Sequence, residues 1–481
     1  MKSRLFVIVT ILLAACTVEE RNYLSDGIVS PAAAGDDDRY QGYAENPFLS
    51  TIDYPVSTFS VDADGASYAN ARRFIEEGAT VPPASVRVEE FLNHFTYDYP
   101  APGSGEEIGL DAELFSCPWA SHRLLLCVGL KGREIADADL PAANLVFLID
   151  VSGSMTPADR LPLLKEGFAL LVNGLRPVDR VAIVTYGGRA GVSLSSTACT
   201  EAGKEIIRAA IARLGTKGAT AGAAGIAKAY EVAIAHFESR GNNRVILATD
   251  GDFNVGVSST AELVGIIKEK RKSGVYLTVL GVGRGNLNDA MMEQLADNGN
   301  GNYEYVYNAD QLRKVFLEER SRFYTVARDC KVQLTFNPGR VHSYRLIGYE
   351  NRHLDQEQFD DDRVDAGEIG VGQTVTALYE LIPAESPTGS LAALSVRYKR
   401  DLQAVSRSLA VEIPGTPATD VSDNSRFAAA VAGAALLLKG SAYKGTLAWP
   451  MVSALARDAV AFDPGGHRVA FCRLVNRLVN Q

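Results

Sequence analysis

The chain has 481 residues, enough for two or three domains, and carries a formal net charge of -10. This acidic balance, and the lack of a basic stripe interleaved with aromatic residues, argue against nucleic acid as a partner. No tandem repeat is visible.

The first sixteen residues are typical of a targeting segment. Lys2 and Arg4 precede an apolar run over residues 5–13, which is too short to span a bilayer as a permanent helix. Small residues then precede Cys16, and this pattern resembles a bacterial lipoprotein signal, in which the cysteine becomes the lipidated first residue of the mature chain. An ordinary signal peptide that happens to contain a cysteine is the alternative.

The lipoprotein pattern predicts a lipid anchor at Cys16 and a place in the cell envelope. Thr17 gives no signal for retention in the inner membrane, so we expect the outer membrane, on its periplasmic or its surface face. No later run is long and apolar enough for a transmembrane helix. Residues 427–438, rich in alanine and leucine, contain Gly433 and predict a buried or docking helix.

Residues 142–323 alternate between apolar strands and amphipathic helices. Strands are predicted at 144–149, 180–186, 244–250, 275–282 and 303–307, with an edge hairpin around 191–196. Helices are predicted at 160–175, 204–214, 223–237, 261–272, 289–296 and 309–323. This pattern indicates an α/β fold with a doubly wound, mostly parallel, Rossmann-like sheet covered on both faces. Ligands of such sheets bind at the carboxyl ends of the strands.

The sequence on either side of this unit is rich in predicted strands. Residues 46–100 contain an extended segment, punctuated by Phe48, Phe59 and Tyr68, and a helix at 88–95. Further strands are predicted within 108–131 and 328–413. Neither set is large enough for a two-layer core of its own, so we hypothesise that they pair. The α/β unit would then be an insertion between two parts of one accessory β-sandwich.

These features divide the chain into six parts. They are residues 1–16, the signal peptide with its lipidated cysteine; 17–45, a small, polar and acidic flexible linker; 46–141, an N-terminal segment; 142–323, the α/β domain; 324–420, a β-rich domain; and 421–481, two or three C-terminal helices. The strands of the N-terminal segment are expected to pair with those of the β-rich domain.

Five cysteines remain after Cys16, so they cannot all pair within the chain. Their spacings match no zinc pattern. Cys117 and Cys127 flank a predicted hairpin and are the best candidates for a disulfide, which the envelope would permit. Buried free thiols are the alternative.

Side chains suited to a hard metal ion occur at the carboxyl ends of the predicted strands. They are Asp150, Ser152 and Ser154 after the first strand, Thr220 in a glycine-rich loop before a helix, and Asp250 at the end of a second buried strand. A small hard cation prefers near-octahedral oxygen ligands and keeps some water. Neutral hydroxyls leave the metal electrophilic, so its open position would favour an acidic group from a partner.

With these residues the chain resembles the von Willebrand factor type A domain and its metal-ion-dependent adhesion site. All five positions of the family's metal pattern are filled: Asp150, Ser152, Ser154, Thr220 and Asp250. The resemblance implies Mg²⁺, with Mn²⁺ or Ca²⁺ as alternatives, bound directly by Ser152, Ser154 and Thr220 and partly through water by the aspartates. Thr216 is a weaker substitute for Thr220, and a degenerate site without metal is the alternative.

The likeness extends beyond the metal pattern. Residues 85–99, 280–286 and 346–352 look like segments of bacterial von Willebrand factor A lipoproteins with a characteristic N-terminal segment and a C-terminal domain of unknown function. The resemblance covers the chain from residue 46 to its end. The role of that group is poorly defined, so it implies little about partners.

Other signals are better explained as structure. Residues 281–285 follow a strand but lack the third glycine and the later acidic residue of a dinucleotide loop, so we expect a turn. Ser152 is no nucleophile elbow, because Asp150 stands where a glycine is needed. Residues 62–65 resemble the start of a calcium-binding loop, but the glutamate that such a loop needs at a later position is missing. We therefore expect a turn there. The acidic run 355–365 favours a solvated loop, with a second cation site or an acidic ligand for a neighbouring copy's metal as alternatives.

Three functions follow from these observations. The leading hypothesis is a non-enzymatic, membrane-anchored envelope protein that binds a protein partner, through its acidic residue, at the divalent cation. The second is a scaffold of an envelope complex with a structural metal, in which the sandwich and the C-terminal helices make the contacts. The third is a metal-assisted hydrolase, since a cation can polarise a phosphate or carbonyl group. No base or nucleophile accompanies the site, which disfavours the third.

Overall fold

The computed structural model of the chain describes residues 38–218, 222–251, 260–385, 387–401 and 404–480. Cys16, Thr220 and the predicted signal peptide lie outside these ranges. Inside them, no helix has both the length and the apolar character needed to cross a bilayer.

The described elements are named in chain order. The strands are β1 (Leu49–Ser50), β2 (Val56–Ser60), β3 (Ile108–Ser116), β4 (Leu124–Gly132), β5 (Ala143–Asp150), β6 (Arg180–Tyr186), β7 (Gly191–Ala198), β8 (Asn242–Thr249), β9 (Tyr276–Val282), β10 (Tyr303–Val306), β11 (Thr325–Phe336), β12 (Val341–Ile347), β13 (Gly367–Gly370), β14 (Thr374–Pro383), β15 (Ala392–Lys399) and β16 (Arg407–Ile413). The helices are α1 (Ala66–Glu76), α2 (Val88–Asn93), α3 (Leu161–Gly174), α4 (Glu201–Ala212), α5 (Gly222–Ala235), α6 (Thr260–Lys270), α7 (Asp289–Asp297), α8 (Ala309–Arg313), α9 (Asp423–Lys439), α10 (Trp449–Arg457) and α11 (His467–Val479).

Six strands form a central sheet in the order β10-β9-β8-β5-β6-β7, parallel except for the edge pair β6 and β7. Successive side chains of a strand point to opposite faces. Along β5, Leu145, Phe147 and Ile149 pack with α3, α4 and α8, whereas Val146 and Leu148 pack with α5, α6 and α7. Helices therefore cover both faces, which accounts for the continuously apolar strands and confirms the predicted α/β fold.

The accessory part is a sandwich of two antiparallel sheets whose apolar faces share one core. One sheet has the order β1-β12-β14-β4-β3 and the other β13-β11-β15-β16, with β2 also paired to β11. Strand β4 runs against β14 from Leu124, opposite Leu381, to Lys131, opposite Thr374. Strands from before and after the central sheet thus pair in one body, as we hypothesised. The domain boundaries that we drew stay predictions.

Tyr68 lies in helix α1 and not in the extended segment expected there. The helix buries Ala66, Ala69 and Ala71, and alanine has the highest helix propensity of the residues. The Tyr68 ring packs edge to face against Phe91 of α2 at a centroid distance of 5.4 Å. Helices α9, α10 and α11 join α1 and α2 in the same core, so the C-terminal helices cover the N-terminal segment.

The single helix predicted at 309–323 is interrupted. Helix α8 passes into a π-helical turn, Lys314–Glu318, which is followed by a 3-10 turn, Arg320–Phe323. A π turn adds a residue to the helical repeat and shifts the face that later side chains present. Lys314 is buried here, and its ammonium lies 2.6 Å from the Glu319 carboxylate.

Cys117 and Cys127 are free and buried, so the disulfide prediction is wrong and the alternative of free thiols holds. The reason is the register of the hairpin: Cys127 lies opposite Glu113, whereas Cys117 comes after the end of β3. Burial raises the pKa of each thiol to about 12. Neither is therefore a reactive thiolate at neutral pH.

Buried ionisable side chains join the N-terminal segment to both other parts. The Arg87 guanidinium lies 2.6 Å from the Asp289 carboxylate at the start of α7. Glu89 accepts a hydrogen bond of 2.9 Å from the backbone N–H of Tyr349, just after β12. Glu89 is only 1% exposed. Burial raises the pKa of its carboxyl to about 8, and the nearby Glu350 adds to the rise.

This raised pKa predicts how stability depends on pH. The folded chain keeps the Glu89 proton up to about pH 8, whereas an unfolded chain releases it near its ordinary value of 4.5. The contribution of Glu89 to the free energy of unfolding is therefore complete below pH 4.5 and is lost as the pH rises towards 8. Its share of the slope is at most about 1.4 kcal/mol of unfolding free energy per pH unit.

Replacing Glu89 with glutamine should flatten this decline, because the amide does not titrate. Urea unfolding of the wild type and Glu89→Gln at several pH values between 5 and 8 measures the two slopes. Glu134→Gln is the matched control, since Glu134 is 72% exposed. Equal slopes in the wild type and Glu89→Gln would contradict the prediction.

Candidate functional site

The two predicted aspartates lie at one edge of the central sheet. Asp150 ends β5 and Asp250 directly follows β8, and these strands are parallel neighbours with Ile149 opposite Ala248. Both aspartates are fully buried. The parallel pairing therefore brings together two carboxyl groups that are far apart in the sequence.

The Asp150 carboxylate is held by its own loop and by β8. Its Oδ1 accepts a hydrogen bond from the Ser152 backbone N–H at 2.8 Å, and its Oδ2 accepts one from the Thr249 hydroxyl at 3.3 Å. Burial raises the pKa of the Asp150 carboxyl to about 7; the neighbouring Asp250 adds to the rise, and the bonds from Ser152 oppose it. Because a cation binds the ionised carboxylate, protons compete with the cation near neutral pH.

Two hydroxyl groups lie together in the loop after Asp150. Ser152 Oγ and Ser154 Oγ are 2.9 Å apart. Adjacent ligands of an octahedral Mg²⁺, at metal–oxygen distances of about 2.1 Å, are roughly 3 Å apart. The serine pair therefore has the spacing of two neighbouring ligands of a small cation, and this set of hydroxyl and carboxylate oxygens suits a hard ion.

The loop that carries the predicted threonine approaches the same place. The Lys217 N–H donates to the Val151 carbonyl at 2.6 Å, so the chain runs beside the serine loop shortly before Thr220. Thr220 itself lies outside the described residues. The Thr216 hydroxyl lies 3.0 Å from the Thr156 hydroxyl and does not join the serine pair.

Arg160 also belongs to this site, although the sequence patterns placed it only at the start of a helix. Its Nη1 donates to Asp250 Oδ2 and to the Ser154 carbonyl, each at 2.7 Å. Its Nη2 donates to the Arg284 carbonyl at 2.8 Å and to Asn286 Oδ1 at 2.7 Å. Asn286 in turn donates to Asp250 Oδ2 at 3.1 Å. A buried cation of the chain itself therefore stands beside one of the two carboxylates.

The glycine-rich loop 281–285 forms a wall of this site and is a turn, as expected. Gly283 and Gly285 have φ values of 77° and 84°, in the left-handed region that favours glycine. A Cβ at Gly283 would overlap the Arg160 side chain. This glycine was the one local signal that could have pointed to a close neighbour at that loop.

Asp38 and Arg39, the first described residues, are hydrogen-bonded to Leu287 in the same loop. Asp38 Oδ1 accepts a hydrogen bond from the Leu287 N–H at 2.8 Å, and the Arg39 N–H donates to the Leu287 carbonyl at 2.7 Å. Arg73 of α1 lies 2.9 Å from the Asp38 carboxylate in a buried ion pair. Asp38 and Arg39 belong to the range 17–45 that we expected to be a flexible linker, but here they are held at the rim of the site, and Asp38 is buried.

The described donor groups limit the chemistry of the site. Among the described residues, no group of three or more histidine, cysteine, aspartate or glutamate side chains is placed to hold a metal. A cation at this edge would therefore depend on the serine hydroxyls. Ser152 Oγ pairs with Ser154, and none of the described histidines bonds to it.

Three family models match the chain in succession. "Von Willebrand factor" matches residues 34–127, "von Willebrand factor type A domain" residues 144–318, and "Uncharacterized protein YfbK, C-terminal" residues 321–480. A von Willebrand factor type A domain supports a role in protein–protein interaction or adhesion, and such domains commonly bind a divalent cation. These matches indicate no catalytic family.

Solved structures match the chain at low identity. The von Willebrand factor type A from Catenulispora acidiphila is 16% identical, with a TM-score of 0.46, over 76% of this chain and 89% of that one. The ArnB paralog VWA2 from Sulfolobus acidocaldarius is 16% identical, with a TM-score of 0.38, over 74% of this chain and 92% of that one.

A relative matches almost the whole chain. The uncharacterized protein YfbK of Escherichia coli (strain K12) is 40% identical over 476 residues, which cover 93% of this chain and 81% of that protein. This confirms the resemblance to von Willebrand factor A proteins with a characteristic C-terminal domain. The chain is a von Willebrand factor type A protein and belongs to the family of YfbK.

Proposed function

We propose that this protein is anchored in the cell envelope by a lipid at Cys16 and binds a protein partner through a divalent cation. The residues that hold the cation in this proposal are Asp150, Ser152, Ser154, Thr220 and Asp250. The observation that carries it is the 2.9 Å spacing of the two serine hydroxyls, because it brings two neutral, hard oxygen ligands beside a buried carboxylate.

The chemistry of these ligands favours an acidic group on the partner. A bound Mg²⁺, or Mn²⁺ or Ca²⁺ in its place, would supply a positive charge and a coordination position open to an outside oxygen. Hydroxyl ligands add no negative charge, so the cation keeps its attraction for a carboxylate. The loops around the cation would then select the partner.

The location follows from the N-terminal sequence. The pattern before Cys16 is that of a lipoprotein, and Thr17 gives no signal for the inner membrane. We therefore place the protein at the outer membrane, on its periplasmic or surface face. Labelling with a radioactive fatty acid, compared between the wild type and Cys16→Ser, tests this part of the proposal independently of the metal.

Replacing Asp150 with asparagine should remove cation binding and leave the fold intact. The amide can still accept the hydrogen bond from Ser152, but it lacks the charge, so we expect the affinity for Mn²⁺ to fall by at least about tenfold. Near pH 8 the metal-free variant should be no less stable than the wild type, because an amide avoids the cost of burying a carboxylate.

Isothermal titration of the full-length protein in detergent with Mn²⁺ measures the affinity, and thermal unfolding measures the stability. Asp159→Asn is the matched control: it changes the same group at a residue on the same loop that is 30% exposed. Unchanged Mn²⁺ affinity in Asp150→Asn would rule out this carboxylate as a ligand.

Partner binding should depend on the cation and on Asp150 together. We expect a crosslinking pull-down from native membranes to recover a partner in Mg²⁺, and to lose it both with a chelator and in Asp150→Ala. Glu134→Ala, which changes an exposed carboxylate away from these loops, should recover it normally. The physical reason is that the partner's carboxylate would bind the cation directly and contact little else as strongly.

The other outcomes decide between hypotheses. Partners retained under both changes would show that the sandwich or the C-terminal helices make the contacts, as in a scaffold. Removal of the residues after 420 would then abolish recovery. Loss with the chelator but not in Asp150→Ala would place the essential cation elsewhere.

A further inference from the structure

Arg160 is a buried cation built into the proposed metal site. It precedes α3 and is 9% exposed. Its guanidinium donates to Asp250, to the Ser154 carbonyl, to the Arg284 carbonyl and to Asn286, at 2.7 to 2.8 Å. An arginine removed from water is stabilised only where its donors find acceptors and its charge finds a partner. Here the acceptors belong to the site itself.

We propose that Arg160 is a positioning residue that lowers the affinity of the site for a bare cation and keeps the loaded site positive towards an acidic ligand. This inference rests on the proposed function, because it concerns the cation that Asp150 and Asp250 would bind. It adds a residue outside the five that the sequence pattern marks.

The first step of the argument concerns charge. Two buried carboxylates alone would carry two negative charges, and a divalent cation would neutralise them. The guanidinium, at 2.7 Å from Asp250 Oδ2, removes one of these negative charges before any cation arrives. A bound cation then has less negative charge to meet and is repelled by the guanidinium. With the cation in place, the group as a whole carries one net positive charge, which favours an anionic ligand.

The second step concerns geometry. The four acceptors of Arg160 lie on three separate loops: Ser154 after β5, Asp250 after β8, and Arg284 with Asn286 after β9. The rigid, planar guanidinium of Arg160 thus fixes the Asp250 carboxylate relative to the serine loop. Asp250 Oδ2 also accepts from Asn286 at 3.1 Å, so a cation would meet a carboxylate with one oxygen already engaged.

The third step concerns the space left for the guanidinium. Gly283 has φ 77°, and a Cβ on it would overlap the Arg160 side chain. The wall of the site is therefore shaped to admit the arginine. The Nε and the aliphatic stem of Arg160 therefore lie where a side chain at position 283 would begin.

Charge and geometry are separated by different substitutions. Arg160→Met and Arg160→Gln remove the positive charge. Arg160→Lys keeps the charge but lacks the planar guanidinium that donates to several acceptors at once. We expect both neutral variants to bind Mn²⁺ at least tenfold more tightly than the wild type, because the repelling charge is gone, and the lysine variant to bind it more weakly than they do, because its charge remains. Titration of the full-length protein with Mn²⁺ alone, followed by the loss of the free-ion electron spin resonance signal, gives these affinities.

Thermal unfolding with and without Mn²⁺ is the second readout. Metal-free neutral variants should be less stable than the wild type, since the ion pair of Arg160 with Asp250 is lost, and Mn²⁺ should raise their unfolding temperature more than that of the wild type. Should Arg160→Met fail to fold, Arg160→Gln, which can still donate a hydrogen bond, decides the question.

The outcomes distinguish this inference from the proposed function. Wild-type binding that is lost in Asp150→Asn, together with equal or weaker binding in the neutral Arg160 variants, would overturn the inference and leave the proposed function standing. Binding in the neutral variants but not in the wild type would overturn cation binding by the natural protein, and with it the inference that Arg160 tunes a loaded site. No binding in any variant would overturn both.

Discussion

The parallel pairing of β5 with β8 is the contact on which the site depends. It places the ends of two buried strands side by side, so the Asp150 and Asp250 carboxyl groups meet where water is excluded. Burial deprives the Asp150 carboxylate of its hydration and so raises the pKa of this group, and repulsion from Asp250 adds to the rise. The Ser152 N–H and the Thr249 hydroxyl stabilise one carboxylate, and Arg160 stabilises the other. The site is thus an arrangement of groups that offset an unfavourable burial.

The accessory sandwich bears on this site through the N-terminal segment. Because β2 pairs with β11, chain from both sides of the α/β unit is bound into one sheet. The chain on either side of β2 then contacts the region after β9 in two places. Asp38 and Arg39 bond to Leu287, and Arg87 pairs with Asp289 a few residues later. The loop that holds Arg284 and Asn286 is therefore supported from outside the central sheet.

This arrangement connects the proposed function to the rest of the molecule. A change at the cation would act on Asp250, and then on Arg160 and Asn286. Asn286 lies in the loop whose Leu287 is hydrogen-bonded to Asp38 and Arg39. The contacts are direct and form a continuous chain of hydrogen bonds and ion pairs. These contacts connect the site with helix α1, where the buried pair of Arg73 and Asp38 ends the series.

The sequence by itself determined the elements and residues whose cause is local. Apolar strands such as β6 and the spacing of Asp150, Ser152 and Ser154 follow from the repeat of a strand and the reach of one loop, so they could be read from neighbouring residues. The α/β fold and the edge of the sheet that carries the two aspartates followed from the same patterns.

Only the tertiary structure decided what depends on distant residues. The register of β3 and β4 keeps Cys117 from Cys127, and the residues from Lys314 to Glu318 form a π turn within the predicted helix. The contact between Arg160 and Asp250 joins residues 90 positions apart, and its only local trace was a glycine that leaves room for a guanidinium. Local patterns report backbone preferences, whereas charge pairing across loops arises only when the strands are assembled, and so the arginine came from the structure alone.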